Sequence, residues 1–288
     1  MSGLLAQAGP SFSEVAGLLP RLALVGAAVA GASLAARRGG HRVAGWITGL
    51  PVIIGPLMAM LLLDQPALRV AAIAQAALIS LPATLLHSVV FAWAAQRVGW
   101  RWPACLGAAL AAYLVVGAAL HRAWALGPDP SALLSGGTGL GCLALLGLPL
   151  LPAAARRALP ALAHHATAQG PVSIPAREVV WRTVAALAVA AAVLLGAPRL
   201  PSAWSGLLVA VPIAGSVLPC FTLPLHGPAA TVHLLRGFLT GMHGFAAFLA
   251  TLVVALPLLA PALAWSLAVV ATVAASSLVK ACSLGRRS

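Results

Sequence analysis

Apolar runs dominate this chain, each about as long as a bilayer crossing and each closed by Arg, Gly or Pro. They predict nine helices, at residues 15–36, 43–63, 67–96, 102–120, 131–152, 179–197, 202–224, 228–255 and 258–280. About 20 apolar residues carry a helix across the hydrocarbon layer. Backbone polar groups in lipid must be bonded within the segment, so helices are the expected element. The runs at 67–96 and 228–255 exceed what a crossing needs. Tilt accommodates them, or a bend at Pro82 in the first and around Gly241 to Gly244 in the second.

Composition excludes a soluble domain. Of the 288 residues, 61% are hydrophobic and 7% are charged, whereas soluble domains average about 25% charged. The expected fold class is all-α: a polytopic transmembrane helix bundle of about nine spans, with eight to ten allowed by the length, forming one membrane domain over 1–288.

The net charge of +13 changes the picture only through its placement. The 17 basic residues stand singly or in pairs at the ends of apolar runs. That is the distribution of topology signals, so no nucleic-acid partner is expected. With the N-terminus outside, the cytoplasmic side receives twelve of them: Arg37, Arg38, Arg42, Arg97, Arg101, Arg156, Arg157, Arg177, Arg182, Lys280, Arg286 and Arg287. The opposite side receives Arg21, Arg69, Arg122 and Arg199, and Arg236 stays inside a helix. This bias predicts N-outside and C-inside. Sixteen Arg against one Lys, with abundant Ala, points to a GC-rich bacterial genome and a bacterial inner (plasma) membrane. The first thirteen residues lack the basic start of a secretory signal, so the first run is expected to be retained.

Two stretches carry the same punctuation. Arg21, Trp46, Gly49, Pro51, Gly55, Pro66 and Arg69 are echoed by Arg182, Trp204, Gly206, Pro212, Gly215, Pro228 and Arg236. The charge count runs the helix at Trp46 outward and the helix at Trp204 inward. The expected architecture is therefore two four-helix inverted repeats, 15–120 and 179–280, joined by a linking helix at 131–152 and a cytoplasmic loop at 153–178. Inverted repeats recur in alternating-access transporters, with the site where the halves meet. Gly45, Gly49, Pro51, Gly55 and Pro56, matched by Gly206, Pro212, Gly215 and Pro219, mark helices open to close approach or interruption. Gly136, Gly137, Gly139 and Gly141 in the linking helix are read as close packing, since no phosphate-loop Lys follows them.

Polar residues inside the runs form two stripes. His233, Arg236, Thr240 and His243 fall within roughly 80° of one helix face. An Arg near a helix centre costs about 2.5 to 3.5 kcal/mol on the insertion scale, so it faces the bundle interior, water or a partner. Arg69, Ser80, Thr84 and His87 share a face of the third run, with Arg69 beside Asp64. The candidate solute-binding residues are Arg236, His233, Thr240, His243 and His87. The competing interpretation makes them hydrogen-bonded packing residues and a snorkelling Arg.

The acids decide what is excluded. Glu14, Asp64, Asp129 and Glu178 all lie in loops or at helix ends, so coupling through a mid-helix carboxylate is not expected. The carboxylate clusters that bind metal diphosphates are likewise missing, and there is no Gly-x-Ser-x-Gly elbow. Cys105, Cys142, Cys220 and Cys282 show no paired spacing. Neither an enzymatic activity nor a cofactor or metal is expected.

The stretches from Trp46 to Pro66 and from Trp204 to Arg236, each a Gly/Pro helix followed by a Pro and a long small-residue helix, resemble small uncharacterised bacterial inner-membrane proteins of the GlpM-like kind. The resemblance spans about half the chain and implies a membrane location with no catalytic motif. In length the chain is similar to transporters of the drug/metabolite superfamily, which would imply ten helices in two five-helix halves. The expected function is a small-solute transporter or exporter with a polar site between the repeats. The alternative is a non-catalytic membrane subunit of an envelope or polysaccharide assembly. The partners implied are the lipid bilayer, a small polar or anionic solute, and a membrane partner or a second copy of the chain.

Overall fold

The computed structural model describes residues 12–97, 101–125, 150–161, 174–196 and 211–284. Among them the chain is all helix: α1 (Phe12–Gly49), α2 (Ile54–Asp64), α3 (Ala67–Ile79), α4 (Leu81–Ala95), α5 (Trp102–Ala125), α6 (Leu151–Ala158), α7 (Ala176–Gly196), α8 (Ile213–Ala255) and α9 (Pro261–Leu284). Among the described residues, five apolar stretches are long enough to cross a membrane: Leu19–Leu63, Ala67–Ala95, Trp102–Ala123, Ile213–Ala255 and Pro261–Val279.

Two of these stretches are not straight. Gly40 sits inside α1 at φ 75°, ψ 177°, and Gly227 sits inside α8 at φ 80°, ψ 178°. This positive-φ backbone is open to glycine and strained for other residues. At both the chain turns back on itself. Gly215 and Phe238 would lie about 34 Å apart on a straight helix, yet a Cβ on Gly215 would be 3.0 Å from the Phe238 ring. Val25 and Thr48, separated by the same number of residues around Gly40, line one cavity. The short connections expected between 36 and 43 and between 224 and 228 are thus single-glycine reversals, each joining two limbs.

The second limb of α1 ends at Gly49, and residues 50–53 form a turn before α2 begins. Pro51 has no N–H to offer the helical ladder. Leu50 N bonds Ile47 O at 3.2 Å, Val52 N bonds Leu50 O at 2.8 Å, and the α-helical pattern resumes at Gly55 N to Pro51 O at 2.7 Å. The long third run breaks at Ser80, between α3 and α4, close to the bend expected at Pro82. At Gly241 to Gly244, the other expected bend, the backbone stays helical. The only non-helical backbone inside α8 is Gly227, because Gly241 and Gly244 are used for packing against neighbours.

That packing is reciprocal. A Cβ on Gly45 would overlap the carbonyl oxygen of Leu234, and one on Gly49 would overlap that of Phe238. In return, a Cβ on Gly237 would overlap the carbonyl of Arg42, and one on Gly241 that of Trp46. Contacts advance in the same direction on both helices, so the second limbs of α1 and α8 run parallel through the crossing. The first limb of α1 meets α7 in the opposite sense: Gly26 faces Thr183 and Leu187, while Arg21 and Ala190, further from both, share a cavity wall.

Two apolar cores result, and α8 belongs to both. Val25, Val29, Ala32 and Ala36 of α1 pack with Ala186 and Ala190 of α7 and with Val217 and Leu218 of α8. Leu235, Leu239, Met242 and Leu249 of α8 pack with Leu78, Leu85 and Phe91 of α3 and α4 and with Ala264 and Ala268 of α9. The outward side of α9 exposes Leu263, Leu267, Val270, Val273 and Leu278. An apolar exterior of this kind suits hydrocarbon and not water.

The echo read from the sequence is reached only in part, because Trp204, Gly206 and the linking helix 131–149 lie outside the described residues. So do residues 162–173 of the loop 153–178 and the side chain of Asp64.

Candidate functional site

The interruption at 50–53 borders a cavity of about 130 Å³. Its walls come from elements distant in the chain: Arg21 and Val25 of α1, Leu50 and Ile53 of the interruption, Thr84 of α4, and the segment Val211 to Gly215 that starts α8. Phe238, Met242 and Phe245 close it from the second limb of α8. The lining is mostly apolar. Among the described residues Arg21 is the one charged residue in the wall, and its Nε is buried with no hydrogen-bond partner among them. Thr48 Oγ1 is already engaged, donating to the carbonyls of Ala44 at 3.1 Å or Gly45 at 2.9 Å. An apolar chamber with one cation and a broken helix at its edge has the make-up of a small-molecule site.

The sequence-derived candidates are distributed differently. At 100° per residue, Phe238, Met242 and Phe245 lie within about 60° of one another, and His233, Arg236, Thr240 and His243 centre about 180° away. The polar stripe therefore faces away from the cavity. Part of what it faces is α6 and the turn after it. Arg236 Nη2 donates to the carbonyl of Pro160 at 3.4 Å, and Trp93 of α4 holds the same segment through Ala158 O at 2.8 Å. Leu159 and Pro160 are buried in this contact. Thr240 Oγ1 donates back to Arg236 O at 2.7 Å, and His243 Nδ1 lies 3.0 Å from Thr240 O. The α6 segment occupies the start of the loop expected at 153–178.

His87 is fully buried on α4, with Nε2 3.3 Å from Ser216 Oγ of α8 and Nδ1 unpartnered among the described residues. It sits one turn from Thr84, at the back of the cavity wall. Ser80, two turns before it, meets His121 of α5 at 2.9 Å. Arg69, by contrast, is exposed on α3.

His233 belongs to a second polar centre, where the two reversals meet. The rings of His41 and His226 are 4.7 Å apart between centroids. Glu178 of α7 accepts a hydrogen bond from Arg182 Nη2 and lies 3.5 Å from His226 Nε2. Arg182 is 1% exposed and reaches Thr222 Oγ1 at 3.4 Å. No group of three or more metal-ligating side chains stands close enough to hold a metal ion among the described residues.

Two features escaped the sequence. Arg21 was assigned to topology, and nothing in the chain signalled that an apolar chamber would form against it. The reciprocal crossing did leave a signal: His41-x-x-x-Gly45-Trp46-Ile47-Thr48-Gly49 is matched by His233-x-x-x-Gly237-Phe238-Leu239-Thr240-Gly241. Pairing Trp46 with Trp204, and not with Phe238, hid it. Set against known protein families, curated proteins and solved structures, the chain matches none of them.

Proposed function

We propose that this chain is a bacterial inner-membrane transporter that carries a small organic anion with an apolar body. The observation that carries the proposal is the cavity at the interrupted helix, with Arg21 as its cation. Discontinuous membrane helices in transporters place free backbone groups at the solute, and a guanidinium binds a carboxylate or sulfonate through charge-assisted hydrogen bonds. The apolar wall of Val25, Ile53, Phe238 and Met242 would hold the rest of the molecule. No catalytic step is assigned.

The proposed topology has nine crossings, the N-terminus outside and the C-terminus in the cytoplasm. The support for the span order is that the relative helix directions fit the alternation of nine crossings: 15–36 against 179–197 is antiparallel, and 43–63 beside 228–255 is parallel; the sidedness rests on the charge count alone. The antiparallel packing of α1 on α7 also supports the inverted relation of 15–120 to 179–280. The parallel Gly crossing adds a second, shorter internal match within that frame.

Purified protein in liposomes, tested with a fluorescent arylsulfonate, checks the proposal. Arg21→Ala should lower uptake at least about tenfold, and Arg21→Lys should restore part of it. Arg236→Ala should leave uptake unchanged. If Arg236→Ala abolishes uptake and Arg21→Ala does not, the solute sits on the polar stripe with His233, Thr240 and His243. The outward apolar face of α9 favours the alternative of a non-catalytic envelope subunit, which would show a co-purifying membrane partner and no uptake in any variant.

A further inference from the structure

We infer that His41 and His226, together with Glu178, form a site that takes up one proton per chain, and that the proton ties the cytoplasmic ends of α1, α7 and α8 together. The use of this tie rests on the transport proposal, whereas the site itself does not. The geometry is specific. Gly40 and Gly227 bring the two reversals side by side, so that the residue after one glycine and the residue before the other become ring neighbours at 4.7 Å. Glu178 lies 3.5 Å from His226 Nε2 and also accepts from Arg182 on its own helix.

The charges around the pair come from three elements. α1 brings His41, with Arg37, Arg38 and Arg42 on adjoining turns; α7 brings Arg177, Glu178 and Arg182; α8 brings His226 and the buried His233. Within electrostatic reach of His41 are His226, Arg182 and His233. Glu178 and Arg182 cancel. A proton on His226 then meets the Glu178 carboxylate directly, but a second proton on His41 would face His226 and Arg182 with no further carboxylate among these groups. One proton is therefore held by the pair, and it arrives from solvent, because the His226 side chain is 18% exposed. The only bond change is proton transfer from water to an imidazole nitrogen.

Loading adds a second link between α7 and α8, at the reversal itself. Without the proton, Glu178 is satisfied inside α7 by Arg182, and α7 is linked to α8 through Arg182 and Thr222 at 3.4 Å. With it, a charge-assisted bond from His226 to Glu178 fastens the reversal of α8 to α7, against the reversal of α1. This end of the bundle lies away from the cavity, at the side that the charge count assigns to the cytoplasm. The proton is placed to hold that side shut.

Nitrogen-15 NMR of the histidine rings, on the full chain in detergent, tests the site. Coupled groups share their titration, so His226→Gln should move the midpoint of His41 by about one pH unit, and His41→Gln should do the same to His226. Either variant suffices if the other does not fold. Glu178→Gln should change the titration of the pair. Rings that titrate independently of each other and of Glu178 would overturn the site, whether or not the chain transports. A second arm measures arylsulfonate uptake with equal pH on both sides, across the imidazole range of about pH 6 to 8. Uptake should fall several-fold on acidification in the native protein and stay flat in His226→Gln. A flat native profile with coupled rings would overturn the tie alone, and no uptake at any pH would count against the transport proposal and not against the proton site.

Discussion

The two glycine reversals begin alike and end differently. Both hairpins turn at a glycine of nearly the same backbone geometry, and both send out a limb with the pattern His-x-x-x-Gly-aromatic-aliphatic-Thr-Gly. The limb after Gly40 then breaks at 50–53 and borders a chamber. The limb after Gly227 runs on to Ala255 as the buried centre of both cores. The shared residues set how the helices cross, and the residues after them set what the crossing is for. Pro51 follows Gly49 by two positions, while His243 stands at the matching place after Gly241.

Substituting the crossing should produce the largest effect and strike both hairpins equally. Gly45→Val and Gly237→Val each drive a side chain into a backbone carbonyl that cannot move without shifting a helix, a loss of more than about 4 kcal/mol. Thermal unfolding in detergent should find little folded protein in either. The milder Gly45→Ala and Gly237→Ala should cost similar amounts, and the double variant less than their sum, because both act on one contact. Unequal costs would mean that the crossing is not reciprocal.

Pro51→Ala should make the first hairpin more like the second. With an N–H restored, residues 50–53 can wind into the helix and close part of the chamber, lowering arylsulfonate uptake by about tenfold with little loss of stability. Uptake unchanged in that variant would detach the interruption from function. A smaller effect is expected at Trp265, whose indole N–H donates to Gly55 O at 3.0 Å and so holds α2 to α9 beyond the break. Trp265→Phe should cost about 1 kcal/mol in thermal unfolding. Smallest of all is Arg236→Gln. It weakens a 3.4 Å contact with Pro160, worth about 0.5 kcal/mol, and should leave uptake intact.

Much of the helical layout was legible because hydrocarbon imposes a length on every run and glycine, proline and arginine mark the ends. The turns near 40 and 226, the break near Ser80 and the membrane class all follow from that constraint. The parallel and antiparallel contacts fit the alternation of spans read from the apolar runs. The polar stripe of α8 was legible as a stripe, since periodicity fixes which residues share a face. Periodicity is silent on which neighbour covers that face, and here Arg236 meets the Pro160 carbonyl while the chamber opens on the other side. The chamber itself leaves no local mark. Its lining is mostly ordinary apolar sequence from six separate places, and Arg21 looks like any other residue at the end of a run. Glu178 and Arg182 were visible as charges at a helix start, but their partner His226 comes from 44 residues further on and could be joined to them only by the fold.

The reciprocal crossing also constrains descent. Each matched segment supplies both the glycine that yields space and the carbonyl that fills it, so neither copy presents a surface that can drift by itself. A change tolerated in one must be answered by the other, and the usual freedom of a helix surface to take on new side chains is withheld at four positions. Inherited variation in this protein should therefore appear beside Gly45, Gly49, Gly237 and Gly241, and hardly ever at them.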